Sequence, residues 1–71
     1  MKINYEITVK DIDKNDVYFS IVTDEIGAKK RINLFKNFLT DYGYKNRIEL
    51  IGAKEESDKI LIKIQISYWR F

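Results

Sequence analysis

The stretch KILIKIQISYWRF, residues 59–71, carries the strongest structural signal in this 71-residue chain. Apolar side chains fall on every second position of the stretch, at Ile60, Ile62, Ile64, Ile66 and Tyr68. A period of two places them on one face of a β-strand, which predicts that this face is buried. The opposite face is mostly polar, but it also carries Leu61, Trp69 and Phe71. We expect another part of the chain or a partner to cover these three.

Three other segments also have the pattern of strands. The first alternates Ile3, Tyr5, Ile7 and Val9 with polar residues. The second covers residues 16–23, with an inward set of Val17, Phe19 and Ile21. The third lies near residues 46–54, with Ile48 and Leu50 inward and a bulge expected at Gly52. The polar segments 11–16 and 55–58 are predicted turns.

One helix is predicted between the two pairs of strands, from about Asp24 to Tyr42. Its apolar stripe has helical spacing and consists of Ala28, Ile32, Phe35, Leu39 and Tyr42, widened by Leu34 and Phe38. Thr23 or Asp24 can cap its start, and Gly43 occupies the position where a left-handed residue commonly ends a helix. We expect Phe35 and Leu39 to form one core with Ile62 and Ile64 of the last strand.

The order ββαββ predicts an α+β domain that occupies all of residues 1–71, with a four-stranded sheet and one helix packed on one face. Short turns produce two antiparallel hairpins, and a right-handed crossover favours the strand order 2-1-4-3. This arrangement resembles, over the whole chain, the β-grasp fold of ubiquitin-like proteins and of the protein G immunoglobulin-binding domain. The resemblance implies a topology and no function. The alternative is an antiparallel sheet in another strand order.

Composition argues against an enzyme. The chain has no histidine and no cysteine, which removes the usual general base, the common nucleophilic pairs and the thiolate and imidazole metal ligands. Asp11, Asp13 and Asn15 resemble the opening of a calcium loop, but the required glycine and glutamate are replaced by Asp16 and Val22. We therefore predict no catalytic residue, no cofactor and no metal site.

The expected setting is the cytoplasm. No apolar run approaches the ~18 residues of a membrane span, and the first residues lack the apolar region of a signal peptide. We therefore expect no membrane partner. Isoleucine is abundant and Lys outnumbers Arg ten to three, which suggests an AT-rich genome such as that of a phage or mobile element and, in that case, a host-cytoplasmic protein.

Apolar residues on the face opposite the helix indicate a protein-binding module. The candidate partner-binding residues are Tyr18, Val22, Ile51, Leu61, Trp69 and Phe71. The second strand is also a predicted sheet edge without Lys, Arg or Pro to discourage pairing. Either surface would bind another protein or a second copy, so a homodimer is one expectation. A regulator or inhibitor encoded by a phage or mobile element fits this description.

The alternative is a nucleic-acid-binding module on the same open face. Its phosphate contacts would be Arg47, Lys63, Lys2 and Lys10, with Tyr18 and Trp69 stacking on bases. The formal charge of only +2 and the presence of Glu6 and Glu49 on that face count against it.

The length of the last segment leads to one more expectation. Thirteen extended residues reach roughly 43 Å, whereas a strand matched to the helix needs about 28 Å. Residues 68–71 are therefore expected to overrun the sheet or to bend, and then to cover the far face or to dock on a partner.

Overall fold

The computed structural model describes residues 2–70, which form two β-hairpins joined by one helix. The elements in chain order are β1 (Lys2–Asp11), β2 (Asp16–Thr23), α1 (Glu25–Asp41), β3 (Tyr44–Glu56) and β4 (Lys59–Arg70). The four strands form one mixed sheet in the order β2-β1-β4-β3. The predicted α+β class, the ββαββ order and the strand order 2-1-4-3 are thus confirmed.

Strands β1 and β4 lie side by side in the centre of the sheet and run parallel to each other. Ile7 pairs with Ile64 and Val9 pairs with Ile66, so the alternating isoleucines of both strands share one face. Each central strand pairs antiparallel with the edge strand of its own hairpin. This arrangement follows from the sequence, since the two most regularly alternating segments occupy the most buried positions of the sheet.

Side-chain and glycine caps define both ends of α1. Asp24 is the N-cap, and its Oδ1 accepts a hydrogen bond from the backbone N–H of Gly27 at 2.8 Å. At the other end, Gly43 has a φ of 77°, and its N–H donates to the carbonyl oxygen of Thr40. A capping carboxylate and a left-handed glycine are typical of these two positions, and both were predicted.

The helix crosses the sheet obliquely. It starts after Thr23, which pairs with Tyr5 in the first half of β1, and it ends before Tyr44, which pairs with Arg70 at the end of β4. It therefore runs from the β2 edge towards the β3 edge, and its contacts with the sheet are mainly to β1 and β3.

The core lies where the helix passes over the central strands. Its buried members are Ile7, Val9, Ala28, Leu39 and Ile66, and Phe35 packs against them. Leu39 and Phe35 are therefore placed as predicted. Ile62 and Ile64 are only half-buried and do not belong to the buried cluster, because the oblique helix leaves that part of β4 less covered.

A bulge in β2 reverses the predicted orientation of two side chains. Val9 pairs with Phe19, but the next residue of β1, Lys10, pairs with Val17. Tyr18 is the extra residue, so the alternation shifts at that point. Val17 consequently lies on the face opposite the helix. Tyr18 lies on the same side of the sheet as the helix. The predictions of an inward Val17 and an outward Tyr18 were both wrong.

Strand β3 is longer than predicted, and this changes the position of the chain's end. It begins at Tyr44 and pairs with β4 as far as Arg70. The backbone N–H of Arg70 also donates to Asp13 Oδ2 at 2.8 Å in the β1–β2 turn. The expectation that residues 68–71 overrun the sheet is therefore wrong for residues 68–70, because β3 is long enough to pair with them. Phe71 lies outside the described residues.

Candidate functional site

An apolar groove opens on the helix side of the sheet because the helix is shorter than the sheet. Seventeen helical residues span roughly 26 Å, whereas the longest dimension of the molecule is 42 Å. The groove, which we call the helix-side groove, has a volume of about 330 Å³. Its helix wall consists of Leu34, Phe35, Phe38 and Leu39. Its sheet side consists of Val9, Tyr18, Tyr44 and Tyr68.

Ring contacts hold the aromatic residues of the groove in place. Tyr44 and Tyr68 lie diagonally across the β3–β4 ladder on the same face, since Tyr44 pairs with Arg70 and Tyr68 pairs with Asn46. Their ring centroids are 5.5 Å apart in an edge-to-face arrangement. The ring of Phe35 packs on Phe19 at 4.8 Å, below the helix. Edge-to-face and tilted contacts of this kind are favourable geometries for aromatic pairs. The groove is thus a preformed surface lined by supported rings.

Tyr18 connects the groove to the β2 edge of the sheet. It is the bulged residue of β2, its side chain is 69% exposed, and its ring centroid lies 5.6 Å from that of Phe19. Because β2 is an edge strand, one side of its backbone has no neighbouring strand. A segment that paired with this edge would therefore run beside the groove.

One end of the groove is polar. Tyr18 and Tyr68 also line a neighbouring cavity of about 360 Å³, together with Asp11, Lys14, Asp16 and Val17. Asp11 Oδ1 accepts a hydrogen bond from the backbone N–H of Lys14 at 3.3 Å. Burial, followed by the negative charge of Asp11, raises the pKa of the Tyr68 hydroxyl above its ordinary value. A side-chain hydrogen bond with Asp11 acts in the same direction, so the Tyr68 hydroxyl already has a partner at this end of the groove.

The partner-binding residues predicted from the sequence do not form one patch. By register, Val22 lies beside Glu6, Leu61 beside Asn4 and Lys54, and Trp69 beside Lys45. Leu61 and Trp69 are half-buried and lie towards opposite ends of β4. Ile51 is the extra residue of a bulge in β3. Tyr18 lines the helix-side groove, and Phe71 lies outside the described residues.

Polar side chains occupy the centre of the face opposite the helix. The hydroxyl groups of Thr8 and Ser20 lie 3.3 Å apart, and Gln65 Nε2 donates to Ser67 Oγ at 2.9 Å. Ser67 is almost completely buried, and it is satisfied by this hydrogen bond. The apolar far face expected from the sequence is therefore replaced by a hydrogen-bonded polar centre with apolar residues at its margins.

The cations proposed for nucleic-acid binding share the far face, but two of them have acidic partners. Arg47 forms an ion pair with Glu49, and Lys63 Nζ lies 3.8 Å from Glu6 Oε2. Lys2 and Lys10 lie on the same face by the register of β1. A cation that is already paired with a carboxylate attracts a phosphate group less strongly. This arrangement therefore weakens the case for nucleic-acid binding but does not test it.

The sequence pattern assigned two residues of the groove to the core, and it therefore did not identify them as part of a site. Leu34 and Phe38 widen the apolar stripe of the helix, and they are 59% and 52% exposed. The available signal was the width of that stripe. Seven apolar positions are more than a helix on a narrow sheet can bury.

Within residues 2–70, no group of acidic side chains is arranged to hold a metal ion, and no helix has the length and apolar composition that a membrane span needs. Comparison of the chain with protein-family models, with curated proteins and with solved structures gave no match.

Proposed function

We propose that this protein is a small protein-binding module that receives an apolar side chain of a partner protein in the helix-side groove. The observation that carries the proposal is the groove itself, in which Leu34, Phe38 and Tyr18 are each more than half exposed yet lie together. Clustered exposed apolar side chains are typical of interaction surfaces, whereas scattered ones need no explanation.

The position of the groove favours an extended protein segment over a small molecule. The groove is open, and its volume lies at the lower end of the roughly 300–1,000 Å³ common for ligand pockets. It also adjoins β2, an edge strand without Lys, Arg or Pro. A partner segment can therefore add a strand to β2 through backbone hydrogen bonds while one of its side chains enters the groove.

The charges at the polar end define the partner further. Asp11 and Asp16 contribute two negative charges and Lys14 one positive charge, which leaves one net negative charge beside an apolar groove. The complementary segment carries a bulky apolar residue next to a basic one. The bulky residue supplies the buried anchor, and the basic residue sets the orientation of the segment.

A peptide selection tests the proposal. A displayed library of random linear peptides is selected on the purified protein, and the affinity of enriched peptides is measured by fluorescence anisotropy. We expect enriched peptides to share a large apolar residue with a basic neighbour. Leu34→Lys should weaken their binding about tenfold or more, because it brings an ammonium group into the apolar groove.

Ile51→Lys is the matched control for this experiment. Ile51 is 53% exposed, close to the 59% of Leu34, but it lies in β3, at the edge of the sheet away from β2 and the groove. It should leave peptide affinity unchanged, and circular dichroism should show that both variants are folded. Failure to enrich any peptide, or an equal effect of the two substitutions, would contradict the proposal.

A further inference from the structure

The second edge of the sheet, β3, carries an exposed apolar row on its helix side. Ile48 and Leu50 face the helix side by their pairing with Ile66 and Ile64. They are nevertheless 38% and 71% exposed, because the helix covers only the first part of β3. Most inward-facing residues of the central strands are far less exposed. This edge therefore has an apolar surface that the chain's own helix does not cover.

The opposite face of the same strand has an ordered charge pattern. Arg47 and Glu49 lie on either side of Ile48 along the chain and form an ion pair within the strand. Their side chains are 62% and 38% exposed. An arginine has five N–H donors and a carboxylate has two acceptor oxygens, so each retains capacity for a second partner.

This pattern selects one register for pairing between two copies of β3. In a symmetric antiparallel pair of β3 strands, the two-fold axis passes either through one residue position or between two. Only an axis through a residue position keeps the helix side of both copies on the same face of the joined sheet. A centre at Arg47 or at Glu49 sets two like charges directly opposite each other, which is destabilising. A centre at Ile48 instead sets Arg47 of each copy opposite Glu49 of the other. The bulge at Ile51 interrupts registers that lie further along the strand.

We propose that a second copy of this chain binds to the β3 edge. The two β3 strands pair antiparallel, with the two-fold axis at Ile48. The pair forms a continuous eight-stranded sheet with both helices on the same side. The two Ile48 side chains meet at the two-fold axis. Leu50 of each chain lies beside Asn46 of the partner subunit, near the last helical turn, where Asn46 Nδ2 donates to Thr40 Oγ1. This inference uses a different edge from the groove and does not depend on the proposed function.

Charge reversal provides the first test, with sedimentation equilibrium as the measurement. The unaltered protein should dimerise. Arg47→Glu and Glu49→Arg should each weaken dimerisation about tenfold or more, because each replaces two attractive pairs by two repulsive ones. An equimolar mixture of the two variants should form a heterodimer, and the doubly exchanged Arg47→Glu/Glu49→Arg chain should dimerise like the unaltered protein. Melting curves of the variants control for loss of fold.

Disulfide formation tests the register separately, since the chain contains no other cysteine. Residues directly opposite in an antiparallel pair have Cα atoms about 4.5–5.5 Å apart, within the range that a disulfide bridges. Oxidation should therefore link two Ile48→Cys chains. Two Leu50→Cys chains should not link, because in this register those positions are four residues apart along the ladder.

The results distinguish the two proposals. A protein that is monomeric at every concentration, or single variants that fail to recombine on mixing, would overturn the β3 pairing. Dimerisation that withstands charge reversal but is lost with Leu34→Lys would also overturn it, and would place self-association at the groove instead. A protein that binds no peptide but still dimerises as expected would contradict the proposed function of the groove and leave the β3 pairing intact.

Discussion

Gly43 is the residue whose backbone conformation the fold most requires. It has a φ of 77° at the junction of the helix and β3, a region that side-chain-bearing residues enter at a cost. A Cβ atom added there would meet no other atom within 4 Å. The requirement for glycine at this position is therefore conformational and not steric.

Replacing Gly43 by alanine should lower the free energy of unfolding by about 1–2 kcal/mol, the cost of a left-handed conformation. Gly52→Ala is the matched control, since its added Cβ also meets open space and its φ is not in the left-handed region. That substitution should be neutral or stabilising by up to about 1 kcal/mol. Urea denaturation measures both values. Equal losses at the two positions would show that the backbone at Gly43 is not strained.

Strand β4 shows how one alternating pattern leads to unequal burial. Ile64 and Ile66 are chemically identical, adjacent on the same face and paired to neighbouring residues of β1. Ile66 is completely buried, whereas Ile64 is half-buried. The difference arises from the oblique path of the helix, which passes over one position and leaves the other partly open.

This difference predicts unequal costs for the same substitution. Ile66→Ala should destabilise the protein by about 2–5 kcal/mol, the range for truncating a fully buried side chain. Ile64→Ala should cost clearly less, because less apolar surface is removed from the interior and water already reaches part of the site. Chemical denaturation of the two variants provides the measurement. A larger loss at Ile64 would show that the helix covers a different part of β4.

The same elements show how far the sequence alone could predict the structure. Alternation located every strand, and the handedness of the crossover predicted the strand order, since both depend on local rules. The bulge at Tyr18 could not be predicted, because no glycine or proline marks it in the sequence. One extra residue there reversed the faces of Val17 and Tyr18, and with them the position of the candidate site. The full length of β3 depended on its pairing with β4, which is a tertiary effect.

For the molecule as a whole, the main feature is a mismatch between a helix of seventeen residues and a sheet with strands of up to thirteen. At their respective rises per residue these lengths are roughly 26 Å and 43 Å. A single helix of this length leaves apolar surface open on its own side of the sheet. The far face, by contrast, is polar in its centre. Both proposed interaction surfaces therefore include apolar residues on the helix side.

Chemical-shift mapping can locate the binding surface without relying on any substitution. A peptide enriched by selection is added to the isotope-labelled protein, and the shifts of backbone amides, methyl groups and aromatic rings are followed by NMR. We predict the largest changes at Tyr18, Leu34 and Phe38, with changes along the backbone of β2. Gln65 and Glu49, which pair with each other on the far face of β4 and β3, should remain unchanged. The largest changes at Leu61 and Trp69 instead would place binding on the far face and contradict the assignment of the groove.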